Sequence, residues 1–509
     1  MNKKENIMRS TTNTYRSIFD SRSAEELRQL AHIKRFMERL IADPHFRDKL
    51  RDHADDLESL KQVTEEYGLD ADPALMLPLF HRQYLKYRHT DDEKKWPLSE
   101  LWSDYMREMI AHRDRLREAG DATDANPAFN TWRQRQIARS MSELGASGPN
   151  ITHPLVAYEL SQGCSMGCWF CGISAEKFEG HLPYTPESSA LWRGVLETMT
   201  ELFGMAAQTG FCYWATDPMD NPDYDRFIED HHRITGFLPQ TTTAAPLKNL
   251  ELTRRVLALF DKHRCVTNRF SILNLKILDR VHATFTPEEL MGVELVMQNR
   301  EALTSKANAG RARQRKQKLR EAGKSDRIAE RDDDHATIAC VSGFLINMLA
   351  QTVQMVSPTR GGDRWELGYR IYETAHFKTT AEFRAAIEGM LARHGGEQLS
   401  GQDRIAFRPD LTYHPKPDGF ELKNATVTHK FRGFSFARQL GDLIADGDKT
   451  AGNIHAALVN DGVDVFLVAE TLRNLFAGGL FDDDPVHGGI GIEKKLVDPV
   501  SIKAQAASL

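Results

Sequence analysis

Three of the six cysteines of this chain fall within eight consecutive positions, as Cys164, Cys168 and Cys171. The surrounding segment, HPLVAYELSQGCSMGCWFCGIS, predicts a strand that runs into Gly163 and a loop that presents the three thiols. Thiolates suit iron–sulfur clusters, and an ordinary electron-transfer 4Fe–4S cluster takes four cysteines. Three cysteines leave one iron free to bind another molecule, and an open coordination position is typical of a catalytic metal site.

Zinc is the alternative metal for this motif, with His181 as a possible fourth ligand. Structural zinc sites generally use paired cysteines with about two to four residues between them, so the C-x3-C-x2-C spacing favours an iron–sulfur cluster. The remaining cysteines, Cys212, Cys265 and Cys340, lie far apart and form no second local motif. Six cysteines in 509 residues are too few for a disulfide scaffold.

The three-cysteine motif resembles the signature of radical S-adenosylmethionine enzymes, including the aromatic Phe170 just before the last cysteine. The resemblance implies that the cysteines hold a 4Fe–4S cluster whose open iron chelates the amino and carboxylate groups of S-adenosylmethionine. It also implies that Phe170 lies near the adenine, and that one electron cleaves this cofactor to methionine and a 5′-deoxyadenosyl radical. An electron donor such as flavodoxin or ferredoxin is then an expected partner.

Two further segments match positions at which that family contacts the cofactor. Thr216-Asp217-Pro218 stands where a Gly-Glu-Pro turn is usual, so the resemblance places Thr216 and Asp217 near the methionine ammonium, although aspartate has the shorter side chain. A turn that caps a helix is the alternative for this segment. Ser271, on a predicted strand, stands where the family often places another cofactor contact.

Most of residues 150–485 resembles the radical peptide epimerases that convert L to D residues in ribosomal precursors of the proteusin type. The segments YWATDPMDNPDY, TIACVSG and QMVSPTRGGDRWELGYRIYE carry this resemblance. Inversion of a carbon centre removes one hydrogen atom and returns another to the opposite face, and a thiol is a good hydrogen donor. Cys340 is the expected donor, with Cys212 and Cys265 as competing candidates; a buried structural thiol is the alternative for each.

Length and composition set the broad class. The 509 residues predict about three domains, and an apolar fraction of 41% is ordinary for a globular protein. The formal net charge of −6 gives no indication of nucleic acid or a membrane surface as a partner. No apolar run approaches the ~20 residues needed to cross a bilayer, and the start of the chain has no hydrophobic export segment. The expected location is the cytoplasm.

Short β-rich segments alternate with helical stretches from about residue 150 on, which predicts a parallel α/β sheet, curved or closed. Six such units suit the partial (β/α)6 barrel that the resemblance to radical S-adenosylmethionine enzymes implies over residues 150–405. The six predicted strands are Leu155–Leu160, Phe211–Ala215, Thr235–Pro239, Arg269–Leu273, Val293–Met297 and Thr337–Val341. Alternation in the last of them would put Ile338 and Cys340 on one face. Between the last two strands lies SKANAGRARQRKQKLREAGKSDRIAERDDD, which predicts a solvated helix or loop or, alternatively, a basic arm that holds an acidic peptide.

Residues 1–149 form a predicted N-terminal helical region. Apolar residues recur at helical spacing, Asp43-Pro44 separates two helices, and Gly68 offers a left-handed cap. Part of this region resembles the helical leader-peptide fold of some ribosomally synthesised peptide precursors. A helical hairpin that packs on the core is the alternative.

Residues 406–485 predict a separate winged-helix unit, and residues 486–509 a C-terminal tail. DGFELKNATVTHKF predicts a hairpin with Asn424 near its turn, and three amphipathic helices follow. The segment from Gly419 to Phe481 resembles the PqqD-like recognition element of ribosomal peptide maturation, which binds a leader peptide as an added strand. A DNA-binding winged helix is disfavoured because the third helix, DVFLVAETLRNLFAGG, has one Arg and no Lys.

These resemblances imply a peptide epimerase, an isomerase that acts on the core of a precursor peptide and holds its leader, and we expect it in the cytoplasm. Nucleic acid and membranes are not expected partners. A cross-linking or thioether-forming radical enzyme is one alternative, disfavoured because the 169 residues after Cys340 contain no cysteine for an auxiliary cluster. A leader-binding scaffold without enzymatic activity is the other.

Overall fold

The computed structural model describes residues 19–122, 124–265, 268–328, 337–396 and 398–485. The chain forms two compact units. The first consists of the residues up to Asn126 together with Pro149–Tyr369 and Thr374–Ala386, and the second of Pro127–Gly148, Arg370–Glu373 and the residues from Ile387 on. The predicted tail, 486–509, lies outside the described residues.

Four helices begin the first unit and confirm the predicted helical stretch. They are α1 Ala24–Ala42, α2 Pro44–Asp52, α3 Leu57–Glu66 and α4 Pro97–Ala119. The Asp43 carboxylate accepts hydrogen bonds from the backbone N–H groups of His45 at 2.9 Å and Phe46 at 3.3 Å, so it caps α2, and Pro44 fills the first helical position. Gly68 adopts the expected left-handed conformation, with φ +65°.

Parallel strands form the centre of the first unit. Its strands are β1 Val156–Glu159, β2 Ser161–Gln162, β3 Gly180–His181, β4 Thr241–Thr243, β5 Asn268–Ile272, β6 Val293–Met297, β7 Gly343–Asn347 and β8 Thr352–Pro358. The strand β9, Tyr369–His376, contains residues of both units. β7 and β1 pair in parallel, as do β4, β5 and β6. Phe211 joins the two groups by single parallel bridges to Ala157 and Gln240. The result is an open α/β array, and the described ranges form no closed barrel.

Helices connect these strands. They are α6 Pro186–Phe203, α7 Tyr224–Thr235, α8 Leu250–Lys262, α9 Leu275–Thr284, α10 Gly310–Glu321 and α11 Thr380–His394, with α5 Pro127–Leu144 in the second unit. Phe270 and Ile272 of β5 pack against Leu278 and Val281 of α9 in an apolar cluster. This alternate burial leaves Arg269 and Ser271 on the other face of β5. Among the helices of the described ranges, none has the length and apolar character needed to span a membrane.

The strand predictions are partly wrong. β1, β5 and β6 are confirmed within a residue or two, and Phe211–Ala215 contributes only the bridging residue Phe211. Helix α7 continues to Thr235 and ends at the left-handed Gly236, so the next strand starts only at Thr241. Residues 337–341 form no strand. The last parallel strand is β7, whose pairing with β1 rather than β6 buries the apolar run Phe344–Ile346.

Helix α1 packs against α9. Its Glu38 pairs with His282 at 3.0 Å, and Arg39 donates to the Asp279 carboxylate at 2.5 Å. This agrees with the alternative of helices that pack on the core. The resemblance to a leader-peptide fold stays a prediction.

The C-terminal unit has three antiparallel strands followed by three helices. They are β10 Thr412–Lys416, β11 Gly419–Lys423, β12 Thr428–Arg432, α12 Ala437–Ala445, α13 Ala451–Asn460 and α14 Val465–Ala477. The Asn424 side chain accepts hydrogen bonds from the N–H groups of Thr426 at 2.9 Å and Val427 at 2.8 Å, which confirms the predicted turn. The assignments as a winged helix and as a recognition element stay predictions.

Helix α5, which the predicted boundaries place in the N-terminal region, carries a buried ion-pair group of the second unit. The Glu143 carboxylate contacts the guanidinium groups of Arg139 at 2.8 Å, Arg370 at 2.5 Å and Arg408 at 3.8 Å. Burial by itself would raise the pKa of Glu143. The three guanidinium groups outweigh burial and hold this pKa well below its usual range.

We expect Glu143→Ala to lower the free energy of unfolding of this unit by about 3–5 kcal/mol, because three buried cations lose the carboxylate that they share. Since the folded-state pKa is depressed, the carboxylate contributes stability above the unfolded-state pKa of about 4.3 and loses that contribution as the pH falls. Denaturant titrations at neutral and acidic pH should show a difference from wild type that shrinks in acid. Glu470→Ala, on the exposed face of α14, is the control, and equal losses in both variants would contradict the prediction.

Candidate functional site

The three cysteines lie on a loop at the carboxyl end of β1. Residues 163–179, the cysteine loop, are closed off by the antiparallel pair β2 and β3. Gly163 enters the loop with φ +70°, and a Cβ there would lie 2.1 Å from the carbonyl oxygen of Lys177, so this position requires glycine. The carboxyl ends of parallel strands are where α/β proteins place catalytic and binding residues.

All three thiols are half-buried, and two of them receive backbone hydrogen bonds. The N–H group of Met166 donates to Sγ of Cys164 at 3.5 Å, and that of Ala175 donates to Sγ of Cys171 at 3.4 Å. Donors directed at sulfur favour the anionic form that binds metals. The backbone of the loop is therefore suited to thiolate ligands.

Before a metal binds, burial keeps the thiols of Cys164 and Cys168 protonated. Burial raises the pKa of Cys164 to about 11, and the nearby carboxylates of Asp217 and Asp220 add to the rise. Burial also raises the pKa of Cys168 to about 12, with Cys164 and Cys171 as further causes. Metal binding must therefore release protons from the loop.

Among the described residues, no group of three or more His, Cys, Asp or Glu side chains is arranged to hold a metal ion. Zinc–sulfur bonds of about 2.3 Å would bring the sulfurs of a tetrahedral site within about 3.8 Å of one another. The described residues therefore form no preformed zinc site, with or without His181. A 4Fe–4S cluster takes one cysteine per iron, so its ligand sulfurs lie farther apart than those of a zinc site.

Asp220 holds the first half of the cysteine loop. Its buried carboxylate accepts hydrogen bonds from the backbone N–H of Ser165 at 2.9 Å and from its hydroxyl at 2.6 Å, and it forms an ion pair with Lys248. Sequence reasoning considered the segment that contains Asp220 but selected Asp217. The sequence signal that could have identified Asp220 was its position as a second acid in the same turn as Asp217.

The predicted cofactor residue Asp217 is buried and already has three donors. It accepts hydrogen bonds from the hydroxyl of Thr243 at 2.7 Å and from the N–H groups of Ala244 at 2.7 Å and Met219 at 2.9 Å. A carboxylate has about four acceptor positions, and three of them are used by these donors. Burial raises the pKa of Asp217 to about 6. The bond to Met219 also agrees with the alternative of a capping turn, since Asp217 caps the short 3-10 helix Pro218–Asp220.

The other three predicted cofactor contacts are half-buried. Phe170 lies in the cysteine loop with its ring edge-on to Trp169 at a centroid distance of 5.4 Å. Thr216 directly precedes Asp217. The turn that follows carries the carboxylates of Asp217 and Asp220, which raise the pKa of Cys164. Ser271 lies on β5, so it belongs to a different part of the array from Phe170 and Thr216.

Cys340 lies in the irregular segment before β7. Buried and accessible side chains alternate there as predicted, although the segment forms no hydrogen-bonded strand. Ala339 and Val341 are buried, whereas Ile338 is 49% exposed and Cys340 is half-buried. Ile338 lies against the cysteine loop, because a Cβ on Gly172 would come within 2.7 Å of its Cγ1. The segment that carries Cys340 thus runs beside the loop.

The Cys340 thiol lies within electrostatic range of Arg269 and Tyr213. Burial raises its pKa to about 12 although Arg269 acts in the opposite direction, so the group stays a neutral thiol near pH 7. The competing thiols of Cys212 and Cys265 are buried, with 2% and 4% of their residues exposed. Of the three cysteines outside the loop, Cys340 is the one with appreciable accessible surface.

Glu159, at the carboxyl end of β1, is a half-buried acid that sequence reasoning missed. Its carboxylate accepts hydrogen bonds from the N–H of Ala215 at 2.7 Å and from the side-chain amide of Asn347 at 3.1 Å. Burial outweighs these bonds and raises the pKa of Glu159 to about 7. An acid at the end of the apolar run LVAYE, five residues before Cys164, was the available signal.

This raised pKa predicts a pH-dependent stability. In the unfolded chain Glu159 ionises near its ordinary pKa of about 4.3, whereas the folded chain holds its proton until about pH 7. Stability should therefore fall as the pH rises from about 4.3 to 7, and Glu159→Gln should reduce this fall. Melting temperatures measured at pH 5 and pH 8 test this, with the exposed Glu197→Gln as the control. If the melting temperature of Glu159→Gln depends on pH as strongly as that of wild type, the raised pKa of Glu159 is refuted.

These elements define an α/β protein with a three-cysteine loop at the carboxyl end of a parallel strand. The protein y4wI of Sinorhizobium fredii (strain NBRC 101917 / NGR234), described as an uncharacterized protein, is 47% identical to this chain over 470 residues. The match covers 92% of this chain and 90% of the relative. Residues 405–479 match the family model described as the protein y4wI C-terminal domain. The chain belongs to the y4wI family.

A solved structure, described as the crystal structure of BtrN in complex with AdoMet and 2-DOIA, was also matched. The match has 13% sequence identity and covers 48% of this chain and 90% of that chain, with a TM-score of 0.26. A TM-score of this size does not establish a shared fold. The assignment of an activity therefore rests on the residues of this chain.

Proposed function

We propose that the chain is a radical S-adenosylmethionine enzyme in which Cys164, Cys168 and Cys171 each bind one iron of a 4Fe–4S cluster. The observation that supports this most directly is one loop with three half-buried thiols, two of which accept hydrogen bonds from backbone N–H groups. The loop contains no fourth cysteine, so one iron would be left to bind S-adenosylmethionine. When bound, the cluster and this cofactor supply a radical that removes a hydrogen atom from carbon.

The residues beside the loop could hold the cofactor. Asp217 keeps about one acceptor position for an ammonium group, and Thr216 precedes it in the same turn. Phe170 offers an aromatic ring for the adenine. Ser271 shares a face of β5 with Arg269, and it would contact the cofactor only if that face lines the site.

We propose further that the reaction inverts L residues of a peptide to D residues, with Cys340 as the hydrogen donor. The thiol belongs to a segment that contacts the loop through Ile338, and its raised pKa keeps the hydrogen on sulfur. In the return step the S–H bond breaks, a C–H bond forms at the α-carbon, and a sulfur radical remains. One electron from a flavodoxin or ferredoxin and one proton would restore the thiol.

The proposed substrate is a ribosomally synthesised precursor peptide whose leader binds the C-terminal unit. β10 and β12 are the two edge strands of its sheet, so either has backbone groups available for an added strand. The start of α14 presents three exposed apolar residues, Val465, Phe466 and Leu467, to receive leader side chains. Nucleic acid is not proposed because α14 has one basic residue, Arg473.

The test uses the full chain, loaded anaerobically with iron and sulfide and then reduced. We expect it to cleave S-adenosylmethionine and, with the precursor peptide from a neighbouring reading frame in heavy water, to place one deuterium at each inverted α-carbon. A product that retains only protium would exclude hydrogen return from an exchangeable thiol. A peptide lighter by two hydrogens would indicate a cross-linking enzyme, and iron binding without cofactor cleavage would indicate a scaffold.

A further inference from the structure

The first turn of the basic helix α10 contacts the cysteine loop directly. Gly310 has φ +50°, and a Cβ there would lie 2.4 Å from the carbonyl oxygen of Gly172 and 2.8 Å from that of Cys171. Such close contact between backbones requires glycine. The predicted solvated helix is therefore packed, at its N-terminal end, against the residues that carry the thiols.

Arg311 extends this contact across the second half of the loop. Its backbone N–H donates to the carbonyl of Cys171 at 3.0 Å, and its guanidinium donates to the carbonyls of Cys168 at 3.1 Å and Ala175. One residue thus holds three carbonyl groups. A planar guanidinium can donate to two separated acceptors at once, whereas a lysine ammonium is a compact point charge.

Two further arginines contact Trp169, one of the two aromatic residues between Cys168 and Cys171. The guanidinium carbon of Arg315, also on α10, lies 4.6 Å from the centroid of the Trp169 ring, and that of Arg300 lies 5.5 Å from it. Cations over an aromatic face are held by its quadrupole. Helix α10 therefore contacts both the backbone, through Arg311, and the Trp169 ring, through Arg315, in this part of the loop.

We propose that Arg311 is a positioning residue for the ligands Cys168 and Cys171, and that its positive charge raises the reduction potential of the cluster they hold. The second part rests on the proposed function. Reduction adds an electron, so a nearby guanidinium stabilises the reduced cluster more than the oxidised one. The bonds to the three carbonyls hold the loop from Cys168 to Ala175, a stretch that contains both ligands.

Hydrogen–deuterium exchange of the metal-free full chain tests the positioning part. We expect Arg311→Met to speed the exchange of peptides from the cysteine loop by about tenfold, because local opening becomes easier. Arg313→Met is the matched control, since Arg313 lies on the same helix turn and pairs with Asp363 at 2.7 Å. Equal exchange in the two variants would overturn the positioning role. Their thermal unfolding, measured alongside, should be the same.

A redox titration of the cluster, followed by electron paramagnetic resonance, tests the second part. We expect Arg311→Met to lower the equilibrium constant for reduction of the cluster by about tenfold, which lowers the reduction potential by about 59 mV for one electron. Arg311→Lys should keep a reduction potential close to that of wild type, because the positive charge remains. Its cysteine loop should nevertheless exchange hydrogen for deuterium faster than that of wild type. An unchanged potential in Arg311→Met would overturn the electrostatic role. A wild-type chain that takes up no 4Fe–4S cluster would refute the proposed function, while the exchange experiment would still decide the positioning role.

Discussion

Replacing Cys340 by alanine is expected to reduce the inversion of peptide residues at least about a hundredfold, while cleavage of S-adenosylmethionine continues. Removal of a group that one chemical step requires has effects of this size. The cysteine loop stays intact in this variant, so abstraction of hydrogen is retained and its return is lost. Chiral analysis of the hydrolysed peptide, together with the yield of 5′-deoxyadenosine, measures the two steps separately.

Cys265→Ala is the control for this experiment, because its thiol is buried and belongs to no part of the proposed site. It should invert peptide residues at nearly the wild-type rate. Cys340→Ser distinguishes the hydrogen donor from a packing role, since serine is close in size but its O–H bond is a poor source of hydrogen atoms. Inversion retained in both Cys340 variants would rule out this residue as the donor.

The second large effect is expected from Cys168→Ala, which should abolish both stable cluster binding and cofactor cleavage. The loop then offers two thiolates instead of three, and no other cysteine lies in it to replace the lost ligand. Iron and sulfide content after anaerobic loading, and the formation of 5′-deoxyadenosine, are the measurements. Cys340→Ala serves here as the control that keeps the cluster.

The metal found on the wild-type chain separates the two interpretations of the loop. Iron and sulfide in equal amounts, lost in Cys168→Ala, support the cluster. Stoichiometric zinc, also lost in His181→Ala, would instead support the zinc alternative and contradict the radical mechanism. The two variants thus give different patterns for the two metals.

The sequence by itself determined the features that depend on neighbouring residues. The spacing of Cys164, Cys168 and Cys171 places them in one loop, because they are too close in the chain to be separated. The helix break at Asp43-Pro44, the turn near Asn424 and the amphipathic helices were predicted for the same reason: each rests on contacts within a few residues. The alternation around Cys340 was also correct, although its strand was not.

Only the tertiary structure decided which distant segments meet. β7 pairs with β1 instead of β6, and Arg311 reaches carbonyls about 140 residues earlier in the chain. The raised pKa of Glu159 likewise depends on burial by several elements at once. Local patterns record the intrinsic preferences of a segment, but pairing and burial depend on how all segments pack together, which no single stretch of sequence contains.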